Sequence, residues 1–205
     1  MAANTGNSTS ERLWDAAIRL FDRKGFAATG IRELASEADV SISALYHHMD
    51  TKNSLLRDLM LEGMNTLLTP ARALLESPGS PVVDLLGLIR IHVAFHCERS
   101  ALAKVTDVEL RSLSAEDRQS IIKLRDEYQK LWFDTIVRGC TEGVFAIKEP
   151  RLATFALLEM CTGTYHWYSP EGHYSVEQIA RYYGALALNM LGHGAAGSDV
   201  GGASV

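Results

Sequence analysis

Between Thr29 and Lys52 the chain reads TGIRELASEADVSISALYHHMDTK. Ile31, Leu34, Ala35 and Ala38 recur at helical spacing, and Asp39-Val40-Ser41 then interrupts the pattern. A second short pattern follows at once through Ile42, Leu45, Tyr46 and Met49. Neither stretch is long enough to hold a helix by itself in water, so both must pack on a larger helical body. Two short helices joined by a tight turn are the framework that lays a second helix in the major groove of DNA. A plain helical hairpin inside a core is the alternative.

The residue types suit the DNA reading. Thr29 precedes the first pattern and is expected to cap it, with Glu33 in its first turn. Ser41 or Ser43 can cap the second helix, whose free N–H groups would also accept a phosphate. Ile42 and Ala44 suit thymine methyls, and Ser43 can donate to or accept from a base edge. Tyr46, His47 and Lys52 are expected on backbone phosphates, and Arg32 completes the DNA-facing set.

The run ERLWDAAIRLFDRKGFAATGIRELASEADVSISALYHHMDTKNSLL, Glu11 to Leu56, resembles the N-terminal domain of TetR/AcrR-family transcriptional regulators. Phe21 with Lys24-Gly25-Phe26, the Leu45-Tyr46-His47-His48 step and Lys52 carry the likeness together. Asp39 and Ser43 stand where the family commonly has Gly; Asp tolerates the left-handed conformation better than most residues. The resemblance implies an all-α homodimer that represses transcription from a pseudo-palindromic operator, with a C-terminal domain sensing a small molecule. Two recognition helices would then lie about 34–36 Å apart.

The net charge of −5 over 205 residues sits oddly with a nucleic-acid partner. Up to Arg57, seven basic side chains face seven acidic ones, so the deficit belongs to the rest. A neutral head on an acidic body predicts modest non-specific DNA affinity with a clear salt dependence. Cys97, Cys140 and Cys161 form no paired framework, which suits reduced thiols in a cytoplasm. The polar N-terminus has no secretory core, and no apolar run approaches the roughly 20 residues of a membrane helix.

The expected organisation is a disordered arm over 1–9, a helix-turn-helix domain over 10–56, a ligand-binding and dimerisation domain over 57–191 and a disordered tail over 192–205. Ser10 is expected to cap the first helix, with Leu13, Trp14, Ala17, Leu20 and Phe21 inward and Gly25 ending it. A long helix from Asp50 or Thr51 runs toward Ser77, where Ser-Pro-Gly-Ser-Pro breaks it. Further helices are expected from Pro81 to Glu98, Ala101 to Leu113, Ala115 to Gly143, Arg151 to Tyr168 and Val176 to Leu191.

Within the second domain, His92, Phe95 and His96 fall on one helix, and Arg125, Tyr128 and Trp132 on another. Met160, Thr164, His166 and Trp167 follow on the next. Together they could line a mostly apolar effector pocket, or simply form core. His92 and His96 stand one turn apart, a metal-ligand spacing, but no third ligand matches, so neither a metal nor a cofactor is expected. Arg125 on an apolar stripe needs an acidic partner or an anionic ligand. Phe155, Ala156, Tyr182, Tyr183, Leu186 and Met190 are left for self-association.

Arg125 to Leu191 is also similar to actinobacterial regulators of steroid and fatty-acid breakdown, through EGVF at Glu142–Phe145, Pro150-Arg151-Leu152 and WYSPEG at Trp167–Gly172. That likeness implies a CoA-thioester or lipid-like effector. No nucleophile elbow, P-loop or Gly-rich dinucleotide turn is present, so no enzyme is expected. The competing reading is a ligand-independent architectural DNA binder.

Overall fold

The computed structural model describes residues 8–194. The expected tail from residue 195 and the expected arm up to residue 7 lie outside them. Among the described residues all regular structure is helical, as expected for an all-α chain. No helix among them is long and apolar enough to cross a membrane.

The chain forms two compact units. One holds the residues up to Asn65 together with Ala101–Lys123, so the head is larger than the expected 10–56 domain. In it, α1 spans Thr9–Lys24, α2 Ile31–Glu37 and α3 Ile42–Tyr46. The first part of α4 (Lys52–Glu76), most of α6 (Ser100–Val108), a 3-10 turn over Glu109–Ser112 and the start of α7 (Ala115–Thr141) complete it.

Helix α1 starts earlier than expected. Ser8, not Ser10, is its cap, and Ser8 and Thr9 are ordered parts of the fold rather than an arm. The Ser8 hydroxyl accepts from the Glu11 N–H and the Glu11 carboxylate accepts from the Ser8 N–H, a reciprocal box that Ser10 cannot form with its own third neighbour, Leu13. Leu13, Ala16, Ala17, Leu20 and Phe21 are buried, and Trp14 is only half-buried. Gly25 ends α1 at φ +84°, a conformation glycine adopts without strain. Each fully buried leucine here contributes about 2 kcal/mol of transfer free energy.

The second unit holds Thr66–Ser100 and the residues from Leu124 onward. Its central element is α5 (Pro81–Glu98), capped by Ser80 and started by a proline that needs no N–H partner. Burial all round α5 includes Leu85, Leu88, Ile89, His92, Val93, Phe95, His96 and Cys97. It packs along α9 (Val176–Met190). A Cβ on Gly184 would meet a terminal methyl of Leu86 at 2.5 Å, so the two helices approach closely there and a larger residue would make that leucine shift. Asp84, fully buried on α5, accepts from the Gly79 N–H and pairs with Arg138 of α7.

Helix α8 (Pro150–Thr162) stops well before the expected Tyr168. The chain tightens into a 3-10 turn over Gly163–His166, where the Thr164 hydroxyl donates to the Cys161 carbonyl at 2.7 Å. A hydroxyl on that carbonyl competes with continuation of the helix. The segment expected as one helix over Ala101–Leu113 is likewise α6 followed by a 3-10 turn.

Candidate functional site

The first unit carries α3 at its surface. The Ser41 hydroxyl accepts from the Ala44 N–H at 3.0 Å and so caps α3. Leu45 and Met49 are buried and fasten α3 to the head. Ile42 and Tyr46, expected on the same apolar pattern, are instead 43% and 51% exposed. Ser43, His47 and Arg32 are exposed beside them, and Ala44 is half-buried. A five-residue helix that turns Ile, Ser, Tyr and His outward offers methyls, hydroxyls and an imidazole to a groove. The turn before it holds Asp39 at φ +52°, where the Arg12 guanidinium donates to its carbonyl at 3.3 Å. This is the left-handed geometry that usually calls for glycine.

Two expected DNA contacts are placed elsewhere. Thr29 is 2% exposed, and its hydroxyl donates to the Gly25 carbonyl at 2.9 Å. It does not cap α2; Gly30 stands at that position and offers no side chain. Lys52 is half-buried with its ammonium donating to the carbonyls of Phe26 and Thr29, each at 2.8 Å, and lying 4.2 Å from the centre of the Phe26 ring. Burial lowers its pKa, as does the charge of Lys24, while Glu109 opposes them. Both residues face inward because the chain between α1 and α2 doubles back and its carbonyls need donors.

In the second unit a polar cluster forms where α5, α7 and α8 meet. His92 is stacked on His96 with ring centres 4.1 Å apart. The His92 ring reaches the Tyr128 hydroxyl at 3.3 Å through Nδ1 and the Thr162 hydroxyl at 2.9 Å through Nε2. His96 Nδ1 donates to the His92 carbonyl at 2.8 Å, which fixes its tautomer. Burial pushes the His92 pKa well down, with the neighbouring His96 charge adding to it, and burial takes His96 down to about 4. Burial pushes the Tyr128 phenol up and the Cys161 thiol up to about 12. Trp132 is fully buried with its indole N–H making no hydrogen bond among the described residues.

So His92, Phe95, His96, Tyr128, Trp132 and Thr164 are all buried in this unit, as a shared pocket or core requires. Arg125 and Met160 are half-buried on α7 and α8. His166 and Trp167 are exposed and do not join the cluster. They follow Gly163, where the helical spacing that would have turned them inward has already ended. Among the described residues no group of three His, Cys, Asp or Glu could hold a metal ion.

Trp167 instead lines an open groove of about 490 Å³ with Tyr174, Gln178, Ile179, Tyr182 and Tyr183. Along α8 and α9, Leu152, Phe155, Tyr182, Leu186 and Met190 are exposed. Ala156 is exposed and Tyr183 half-buried among them. Three site residues escape a reading of the sequence. Tyr174 and Gln178 border the groove, and aromatics in a turn before a helix cap are the available clue. Thr162 holds His92, and no local pattern marks it.

Two family models match the chain. A model described as "Bacterial regulatory proteins, tetR family" matches residues 13–59. One described as "Tetracyclin repressor-like, C-terminal domain" matches residues 78–191. The chain is 28% identical over 195 residues to the HTH-type transcriptional repressor KstR2 of Rhodococcus jostii, covering 93% of this chain and 95% of that one. It superposes on a TetR-family regulatory protein from Rhodococcus RHA1 with a TM-score of 0.82 at 32% identity, over 92% and 99% of the two chains. It shares the fold of AibR, crystallised with isovaleryl coenzyme A and operator DNA, with a TM-score of 0.78 at 23% identity over 87% and 97%. The chain belongs to the TetR family of bacterial regulatory proteins.

Proposed function

We propose that this protein is a ligand-responsive transcriptional repressor that binds a pseudo-palindromic operator as a homodimer. The observation that carries the reading is α3. Its anchors Leu45 and Met49 are buried, while Ile42, Ser43, Tyr46 and His47 face out from a capped N-terminus. Large apolar side chains left outward on so short a helix suit base edges better than solvent. Ile42, Ser43 and Ala44 read bases, Tyr46 and His47 hold phosphates, and Arg32 adds a charge contact.

Self-association runs through the exposed apolar face of α8 and α9, where Phe155, Leu186 and Met190 would otherwise stay wet. A two-fold pair then repeats the recognition helix about 34–36 Å away. The effector acts on the α5, α7 and α8 cluster and is a mostly apolar molecule or a CoA thioester. AibR, crystallised with isovaleryl coenzyme A and operator DNA, is the fold neighbour that favours this class. Release needs only a difference in effector affinity between the DNA-fitting and non-fitting states.

The test is selection of duplexes by the purified protein from a random pool, followed by titration of the selected duplex with a panel of acyl-CoAs. The expected result is one short symmetric sequence, released by at least one thioester. Diffuse coating without sequence preference would favour the architectural reading. A symmetric site that no thioester or apolar acid releases would remove the CoA-thioester assignment.

A further inference from the structure

Phe26 is held from both sides by residues far away in the chain. Its N–H donates to a Glu109 carboxylate oxygen at 3.0 Å, and its carbonyl accepts from the Lys52 ammonium at 2.8 Å. The second Glu109 oxygen accepts from the Ser112 hydroxyl at 2.7 Å, which fixes the carboxylate. The second Lys52 hydrogen bond goes to the Thr29 carbonyl. The Phe26 ring lies under the ammonium and meets the Phe21 ring edge-on at 5.3 Å. All of this lies within the first compact unit.

We propose that Lys52 and Glu109 are positioning residues for DNA reading: they clamp Phe26 and thereby set the angle at which α2 and α3 leave the body of the head. The proposal rests on the DNA-binding reading above. Helix α2 has no side chain capping its start, so its entry direction is not fixed locally. The 25–29 turn fixes it, and that turn is pinned at Phe26 and Thr29. A lysine ammonium has three protons, and two are committed to carbonyls here. The remaining contact is with the Phe26 ring. That leaves Lys52 poorly placed to serve as a phosphate ligand.

Glu109 gives the clamp a second role. It sits in the 3-10 turn that follows α6, and α6 follows α5 after Arg99 alone. Eight residues of chain separate Glu109 from Ser100, where the first stretch of the second unit ends and the head resumes. A shift of this turn changes the grip on Phe26 and with it the pose of the reading helix.

Two measurements on the full chain test the clamp. The first is amide exchange at Phe26 without DNA. Glu109→Ala should raise that rate at least tenfold while the α1 core amides stay protected, and Glu109→Gln should give an intermediate rate. Unchanged exchange in Glu109→Ala overturns the clamp. The second is the salt dependence of binding to a duplex selected by the wild-type chain. A lost phosphate contact lowers the slope of log affinity against log salt by about 1, as Arg32→Gln should do. Lys52→Gln should instead weaken binding at least fivefold with the slope unchanged, and Lys52→Arg should restore most of the affinity. A slope lowered by about 1 in Lys52→Gln makes Lys52 a phosphate contact and overturns its positioning role. If the wild-type chain selects no duplex, the DNA-binding reading and the positioning role fail together. The Phe26 exchange result would still report whether the clamp exists.

Discussion

The buried histidine pair makes the fold sensitive to mild acid. His96 is 4% exposed, its Nδ1–H is committed to the His92 carbonyl, and its ring lies against those of His92, Phe95 and Tyr165. Burial holds its folded pKa at about 4, against about 6.5 in an unfolded chain. The unfolded state therefore binds the proton first as pH falls. The stabilising contribution is complete above the unfolded value and is lost as pH drops through the window toward the folded one. Going from pH 7 to pH 5 costs about 2 kcal/mol through His96 alone, and the full window costs about 3 kcal/mol. His92, depressed for the same reason, pushes in the same direction.

Urea unfolding at pH 7 and pH 5, at one fixed protein concentration, measures this. His96→Asn places a neutral N–H donor where Nδ1 stands and removes the titration. The wild-type midpoint should fall by about 1 M more than that of the variant over this pH step, for a slope of about 2 kcal/mol per molar. Equal losses in the two proteins would show that His96 titrates as an ordinary histidine, and the burial argument would be wrong.

Other expectations are as direct. Asp84→Ala removes the carboxylate that holds both Arg138 and the Gly79 N–H, and should cost about 3 kcal/mol in urea unfolding. Asp39→Gly relieves a left-handed residue and should raise stability by about 1 kcal/mol, while Asp39→Val should lower it. Tyr46→Phe should weaken selected and unrelated duplexes alike, by about 1 kcal/mol or fivefold in a gel-shift titration. Phe155→Glu combined with Leu186→Glu should give a monomer in sedimentation, since both residues lie on the exposed apolar face of α8 and α9.

The head was legible because its signals are local. The break at Asp39, the Ser41 cap and the Gly25 stop are each set by a few neighbouring residues, and the structure places all three as expected. The internal partners of Lys52 and Thr29 were not legible, for the opposite reason. A lysine after a recognition helix looks the same in sequence whether its ammonium meets a phosphate or carbonyls 23 and 26 residues earlier in the chain. The Glu109 bond to Phe26 spans 83 residues and has no local signature. Trp167 and His166 failed through geometry. A helical wheel places them inward only while the helix continues, and it gives way to a 3-10 turn at Gly163.

The two short helices of the head take their pose from their surroundings. Helix α3 has five residues and α2 has seven, too few for either to persist alone. Their pose is borrowed from Leu34, Leu45 and Met49 beneath them and from the pinned turn before them. The residues that α3 turns outward, Ile42, Ser43, Tyr46 and His47, therefore carry little of the stability of the head. The residues that carry its geometry, Leu34, Leu45 and Met49, are buried beneath them. Ile42 or Ser43 can be replaced without cost to folding, because exposed substitutions away from special features stay within about 0.5 kcal/mol, so the proposed base preference is free to change there. The pose of the whole reading element can change at Phe26, Lys52 or Glu109 without touching any base. On the proposed reading, the sequence that is read and the geometry that permits reading are set by separate groups of side chains.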